Sequence, residues 1–189
     1  MRARILSLIL VPALFVSLAW PVAGQSTQTA QQPVRPPDIH WVPTPDAVVD
    51  GMLKLAKVSK NDVVYDLGCG DGKIVIAAAR LGARGVGIDI DPQRVQEATA
   101  NVKKAGLEGR VQIRLGDIFD PNVTFSDATV VTLYLLSSLN EKLKPRLLKE
   151  LRPGARVVSH AFRMGDDWPP EQTNQINGIN IFLWTIPAR

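Results

Sequence analysis

An acid followed closely by three glycines marks residues 66–72 (DLGCGDG) as a turn that can bind a small charged ligand. Glycine tolerates a positive φ and, lacking a Cβ, lets a ligand reach the backbone N–H groups. The free amides at the start of a helix favour a carboxylate or another anion. Asp66 would repel a diphosphate but would pair with an ammonium. The stretch therefore predicts a ligand that carries both an ammonium and a carboxylate.

The spacing of Gly68, Gly70 and Gly72 differs from the dinucleotide fingerprint, in which the third glycine comes one residue later to admit a pyrophosphate. S-adenosylmethionine has no pyrophosphate and carries both an ammonium and a carboxylate, so it is the predicted cofactor. A glycine turn alone is weak evidence, because glycines also mark ordinary turns.

Two further acids follow the next predicted strands. Asp89 ends an apolar run and lies 21 residues beyond Gly68, the separation expected for an acid that binds ribose hydroxyls. Asp117 follows a third strand, where a carboxylate can accept from an adenine amino group. Each acid alone would more often be a turn residue. Three acids at the ends of three successive strands favour a ligand site, because ligands bind at the carboxyl ends of such strands.

The elements that must position these acids alternate between strand and helix. Residues 62–65 have the apolar and β-branched character of a buried strand, and residues 73–80 that of a buried helix, so the glycines lie on a strand-to-helix turn. Thr44 and Pro45 predict the N-cap and first turn of an earlier helix. Asn177 and Gly178 predict a hairpin turn. The predicted strands are residues 62–65, 85–88, 111–115, 128–134, 156–159, 172–176 and 179–186.

The chain resembles the class I, seven-β-strand S-adenosylmethionine-dependent methyltransferases, and more narrowly the small protein-lysine methyltransferases of archaea and mitochondria. The broader resemblance rests on the three acids, the glycine turn and residues 151–154 (LRPG). The narrower resemblance rests on residues 41–45 (WVPTP), 130–136 (VVTLYLL), 140–145 (NEKLKP) and 157–160 (VVSH). It implies a single-domain, Rossmann-like α/β fold over residues 38–189, with a mostly parallel sheet and an antiparallel C-terminal hairpin.

The resemblance and the strand ends together give a set of candidate site residues. The predicted cofactor-binding residues are Trp41, Val42, Thr44, Asp66, Gly68, Cys69, Gly70, Gly72, Asp89, Ile90, Asp117 and Ile118. Tyr134 is predicted to face the methyl acceptor, with Thr132 and Asn140 behind it. An aromatic core position is an equally good interpretation of Tyr134. His160 is either part of the acceptor pocket or a buried core histidine.

Neither a metal centre nor a nucleophilic cysteine is predicted. His40 and His160 do not have metal-ligand spacing and have no cysteine partners. Cys69, the only cysteine, lies inside the glycine turn with no histidine close in sequence, and we interpret it as a small turn residue.

The predicted activity is methyl transfer to protein lysine side chains. A small-molecule acceptor, or an exported binding module that keeps the fold without catalysis, remains the alternative. The resembled family has acidic residues after the histidine of residues 157–160, where this chain has Ala161 and Arg163. Residues 25–189 carry 20 basic and 18 acidic side chains, and a net charge of +2 is too small to suggest a nucleic-acid partner.

The first 24 residues have the pattern of a secretory signal peptide. Arg2 and Arg4 precede an apolar stretch over residues 5–20, and small residues lie before Gln25. An uncleaved membrane anchor is the alternative, and it would be the only membrane contact. Either one places the domain outside the cytoplasm, periplasmic or secreted. Residues 25–37 are polar and proline-rich, which predicts a flexible linker.

Overall fold

The computed structural model describes residues 35–189, which form four helices and seven strands. The strands are β1 (Val63–Leu67), β2 (Arg84–Asp89), β3 (Val111–Leu115), β4 (Val130–Leu133), β5 (Arg156–His160), β6 (Gln172–Ile176) and β7 (Ile179–Thr185). The helices are α1 (Asp46–Leu55), α2 (Lys73–Arg80), α3 (Pro92–Lys104) and α4 (Ser137–Glu150). The predicted signal peptide and most of the predicted linker lie outside the described residues. Within residues 35–189, no helix is long and apolar enough to cross a membrane.

The seven strands form one sheet in the order β3-β2-β1-β4-β5-β7-β6. Strands β1 to β5 pair in parallel, whereas β7 runs antiparallel to both β5 and β6. Because β1 pairs with β2 on one side and with β4 on the other, the strand order reverses at β1, and such a reversal opens a crevice at the carboxyl ends of the strands. The predicted α/β fold with an antiparallel C-terminal hairpin is confirmed.

Both faces of the sheet are covered, which explains why every residue of β1 is buried. Successive side chains of a strand point to opposite faces. Val64 accordingly packs with residues of α1 and α2, while Tyr65 and Leu67 pack with Leu143 and Leu147 of α4 on the other face. The acid near the end of this strand is therefore held by a rigid, two-sided core.

Two local predictions are confirmed and one is wrong. Helix α2 covers the predicted residues 73–80, and the hairpin turn has positive φ at Asn177 and Gly178. Helix α1, however, begins at Asp46 with Pro45 at the N-cap and no side-chain cap. The Thr44 hydroxyl instead lies 3.2 Å from His160 Nδ1, because a long-range partner at the end of β5 competes successfully with the local cap.

Candidate active site

A cavity of about 840 Å³ lies at the carboxyl ends of the central strands. All of the predicted cofactor-binding residues line it except Gly70 and Gly72. Tyr134 lines it as well, just beyond the end of β4, which is shorter than the predicted residues 128–134. Thus the fold brings together side chains that lie on or just after β1, β2, β3 and β4, and side chains of the segment before α1.

The glycine turn has the backbone conformation that its sequence predicts. Gly68, Gly70 and Gly72 have φ values of 87°, 52° and 78°, which side chains with a Cβ rarely adopt. A Cβ on Gly70 would lie only 1.8 Å from Trp41 Nε1. Gly70 therefore has to be glycine both for its φ and because the Trp41 ring packs directly on the turn.

Asp66 places a buried carboxylate at the wall of the cavity. The residue is only 3 % exposed, and its Oδ1 accepts a 2.7 Å hydrogen bond from Thr132 Oγ1. Burial raises the pKa of Asp66 to about 7, and the nearby Asp89 and Asp71 contribute to the rise by repulsion. A cationic group in the cavity would relieve both effects, which is the electrostatic environment that the ammonium of the predicted cofactor requires.

Asp89 has a structural role that the sequence did not reveal. Its Oδ2 accepts from Gly70 N–H at 2.8 Å, and its Oδ1 accepts from Asp91 N–H at 3.0 Å. Burial raises the pKa of Asp89, while these backbone hydrogen bonds oppose that effect. This carboxylate therefore ties the glycine turn to the end of β2, in addition to lining the cavity where ribose binding is predicted.

Asp117 is paired with a residue that was predicted to belong to the linker. Arg35 donates from Nε to Asp117 Oδ2 at 2.6 Å and from Nη2 to Oδ1 at 3.1 Å. Although burial raises the pKa of Asp117, the hydrogen bonds from Arg35 and from Phe119 N–H bring it below its usual value. Arg35 lines the cavity. No spacing in the sequence marks it, because its partner is 82 residues away.

Residues 35–44, which we call the strap, run along the cavity and are held at both ends. Arg35 binds Asp117 at one end, and Lys73 Nζ donates to the Thr44 carbonyl at 3.1 Å at the other. Between them, the Arg94 guanidinium lies 4.7 Å from the centroid of the Trp41 ring. The strap therefore forms one wall of the cavity and limits its access to water.

An aromatic wall lies beside the cavity at Tyr134. The Tyr134 ring stacks on His160 with 3.7 Å between centroids, and Phe162 lies 6.1 Å away on the cavity lining. His160 is buried, and burial lowers its pKa to about 4, so the ring is neutral near pH 7. His160 does not line the cavity; it supports Tyr134 from behind.

The structure places Thr132 and Asn140 outside the cavity lining. Thr132 is fully buried and bonds to Asp66. The Asn140 amide donates to Ser159 Oγ and to the Phe162 carbonyl, each at 3.3 Å, and so fixes the loop after β5. Their predicted position behind Tyr134 stays a prediction as far as catalysis is concerned.

Neither metal nor thiolate chemistry is supported within residues 35–189. No group of three or more His, Cys, Asp or Glu side chains there has the arrangement of a metal site. Cys69 is buried, and burial raises its pKa well above the usual value, with Asp66 and Asp89 adding to the effect. It stays a neutral thiol within the turn.

Known proteins share this sequence and geometry. The model of the ANTKMT methyltransferase domain matches residues 66–172. A protein-lysine N-methyltransferase of Saccharolobus islandicus is 48 % identical over 156 residues, which are 79 % of this chain and 95 % of that protein. The chain belongs to the ANTKMT methyltransferase family. A DNA methylase model also matches residues 16–100.

Two further relatives of this methyltransferase are informative. An ATP synthase lysine N-methyltransferase of Mus musculus is 30 % identical over 151 residues, which cover 80 % of this chain and 60 % of that protein. The crystal structure of an RNA methyltransferase from Salinibacter ruber in complex with S-adenosyl-L-homocysteine is 55 % identical, with a TM-score of 0.75 over 78 % of this chain and 95 % of that one. The predicted fold, the predicted enzyme class and S-adenosylmethionine as the predicted cofactor are confirmed.

Proposed function

We propose that this methyltransferase methylates lysine side chains of a protein. The observation that carries the proposal is the neutral aromatic wall of Tyr134 and Phe162 beside the glycine turn, in a chain that matches a protein-lysine methyltransferase over nearly that protein's whole length. A lysine must lose its proton before it can accept a methyl group, and an apolar pocket lowers the pKa of an amine. The wall presents no charge that would hold the lysine protonated.

The cofactor site that we propose follows the strand ends. Asp66 faces the ammonium of the methionine end, Asp89 the ribose and Asp117 the adenine. The residues fit such a ligand: the turn has no Cβ where backbone amides must be approached, and the Asp66 carboxylate is buried without a cationic partner within residues 35–189. All three acids open onto one cavity.

The protein's contribution to the reaction is placement and exclusion of water. The cofactor supplies an activated methyl group on a sulfonium. The glycine turn and the three acids fix its position, the strap excludes solvent, and Tyr134 and Phe162 orient the acceptor in the apolar part of the cavity. The neutral ring of His160 keeps Tyr134 in position without adding a positive charge.

Arg163 does not oppose a lysine acceptor, although its charge has the wrong sign. Its guanidinium carbon lies 5.7 Å from the centroid of the Phe182 ring, and the residue does not line the cavity. The acidic residues that the resembled family carries here are absent, so acceptor recognition in this protein rests on the aromatic wall.

RNA is the second candidate acceptor, because the Salinibacter ruber relative is described as an RNA methyltransferase. Binding to nucleic acid depends mainly on phosphate contacts with basic side chains. The net charge of +2 over residues 25–189 supports the protein acceptor instead. A small-molecule acceptor would use the same cavity.

A labelling experiment separates these acceptors. Purified protein is incubated with S-adenosylmethionine carrying a labelled methyl group and with three acceptors: a lysine-rich protein, the same protein with blocked lysines, and total RNA. We expect label only in the unblocked protein. Label in RNA, or equal label in the blocked protein, would contradict the proposal.

We also propose that the protein is exported, with the first 24 residues acting as a signal peptide. The support is the pattern of two arginines, an apolar stretch and small residues before Gln25. Mass spectrometry of the protein from its native host tests it: an N-terminus at Gln25 is expected, and a cytoplasmic protein that begins at Met1 would refute it.

A further inference from the structure

The two oxygens of the Asp66 carboxylate have different surroundings. Oδ1 accepts from the Thr132 hydroxyl at 2.7 Å. Oδ2 has no hydrogen-bond partner among the residues that the structure describes, and Asp66 lines the cavity. A carboxylate that is only 3 % exposed and half unpartnered is costly unless a ligand completes it. Which oxygen faces the cavity depends on the group that holds the other one.

That group, Thr132, is well placed to control the rotamer of Asp66. The two residues are register partners across β1 and β4, and Thr132 is fully buried. Its Oγ1 has a second acceptor, the Tyr65 carbonyl, at 3.4 Å. A hydroxyl is both a donor and an acceptor. It can therefore donate to an ionised Asp66, or accept from a protonated Asp66 while it donates to Tyr65.

We propose that Thr132 is a positioning residue of the cofactor site, which holds Asp66 towards the cavity and exchanges these two hydrogen bonds as the ammonium of S-adenosylmethionine displaces a proton from Asp66 to solvent. This inference rests on the proposed function, in which Asp66 faces that ammonium. It assigns Thr132 to the cofactor instead of the methyl acceptor.

The charges around Asp66 favour the exchange. Asp89 at the end of β2 and Asp71 in the glycine turn repel its negative charge, and the Cys69 thiol beside it is neutral. Lys73 at the start of α2 is directed to Asp46 at 2.9 Å and to the Thr44 carbonyl. Since burial raises the pKa of Asp66 to about 7, the carboxyl is partly protonated at neutral pH and becomes ionised when a cation arrives.

Proton release during binding is the direct test. Titration calorimetry of the purified protein with S-adenosylmethionine, in buffers of low and high ionisation enthalpy, gives the number of protons released. At pH 7 we expect roughly half a proton per cofactor, and more at lower pH. Asp66→Asn, which cannot ionise, should release no such proton.

Variants of Thr132 separate positioning from structure. Thr132→Val has nearly the same volume but no hydroxyl, so the charged form of Asp66 loses its donor. We expect affinity to fall about tenfold and proton release at pH 7 to rise, since more Asp66 is protonated beforehand. Thr132→Ser keeps the hydroxyl and should restore both values, and it serves as the folded control should the valine variant not fold.

The outcomes distinguish the two proposals. Unchanged affinity in Asp66→Asn would overturn the assignment of Asp66 to the ammonium, and with it the proposed cofactor site. Lost affinity in Asp66→Asn together with wild-type affinity and proton release in Thr132→Val would leave that site in place and refute the positioning role of Thr132. A Thr132→Ser variant that behaves like a folded Asp66→Asn would refute it as well.

Discussion

Replacing Asp89 by alanine tests the cofactor site most directly. The residue is 8 % exposed, lines the cavity at the end of β2 and has backbone partners at Gly70 and Asp91. The substitution removes the predicted partner of the ribose hydroxyls. It also releases the Gly70 N–H and so loosens the turn on which the methionine end is expected to lie.

The expected loss follows from the hydrogen bonds involved. A hydrogen bond to a charged group contributes about 1.5–3 kcal/mol. Loss of the ribose contact, with a less ordered turn, should therefore cost about 3 kcal/mol of cofactor binding, which is about a hundredfold in Kd. Asp89→Asn can still accept one of the two backbone hydrogen bonds, so its loss should be smaller.

Asp62→Ala is the matched control. It removes another buried aspartate next to the same strand β1, but at the amino end of the sheet. There Asp62 pairs with Arg156 and accepts from Ser59 N–H at 2.8 Å and from Thr129 at 2.7 Å. We expect Asp62→Ala to lower the free energy of unfolding by about 3 kcal/mol and to leave cofactor affinity unchanged.

Calorimetric titration with S-adenosylmethionine and thermal unfolding of the wild type and these variants measure both effects. The reasoning is refuted if a folded Asp89→Ala variant binds with wild-type affinity. It is also refuted if Asp62→Ala weakens binding as strongly as Asp89→Ala, since the loss would then reflect stability alone.

Three other predictions concern the strap and the aromatic wall. Gly70→Ala should reduce cofactor affinity at least tenfold and shift the fluorescence of Trp41, because the new Cβ meets its ring at a φ of 52°; unchanged titrations and spectra would contradict it. Arg35→Ala should increase affinity by up to about fivefold by freeing the Asp117 carboxylate from a partly exposed ion pair, and calorimetry that shows weaker binding would show that Arg35 assists the cofactor. The pKa of His160 is lowered from 6.5 to about 4, so the unfolded chain binds a proton that the folded protein excludes; stability should be full above pH 6.5 and fall as the pH drops from there towards 4, and this slope should be absent from the melting temperatures of His160→Gln.

Much of the fold could be predicted from local patterns. Apolar β-branched runs, the glycine turn and the Asn177-Gly178 hairpin depend on neighbours within a few residues, so strand-to-helix order and the antiparallel last pair were predictable. The bounds of β4 and the start of α1 were less so. Pairing in the sheet set the first, and the Thr44 contact with His160 the second.

Residue types and their spacing along the chain were enough to predict the family, the cofactor and the three strand-end acids. The side chains that complete those acids could be found only once the chain was folded. Thr132 bonds to Asp66, Arg35 to Asp117 and Thr44 to His160 across 66, 82 and 116 residues. No period or motif spans such distances. These contacts exist because the parallel sheet brings the ends of distant strands to one edge, where buried polar groups must find partners.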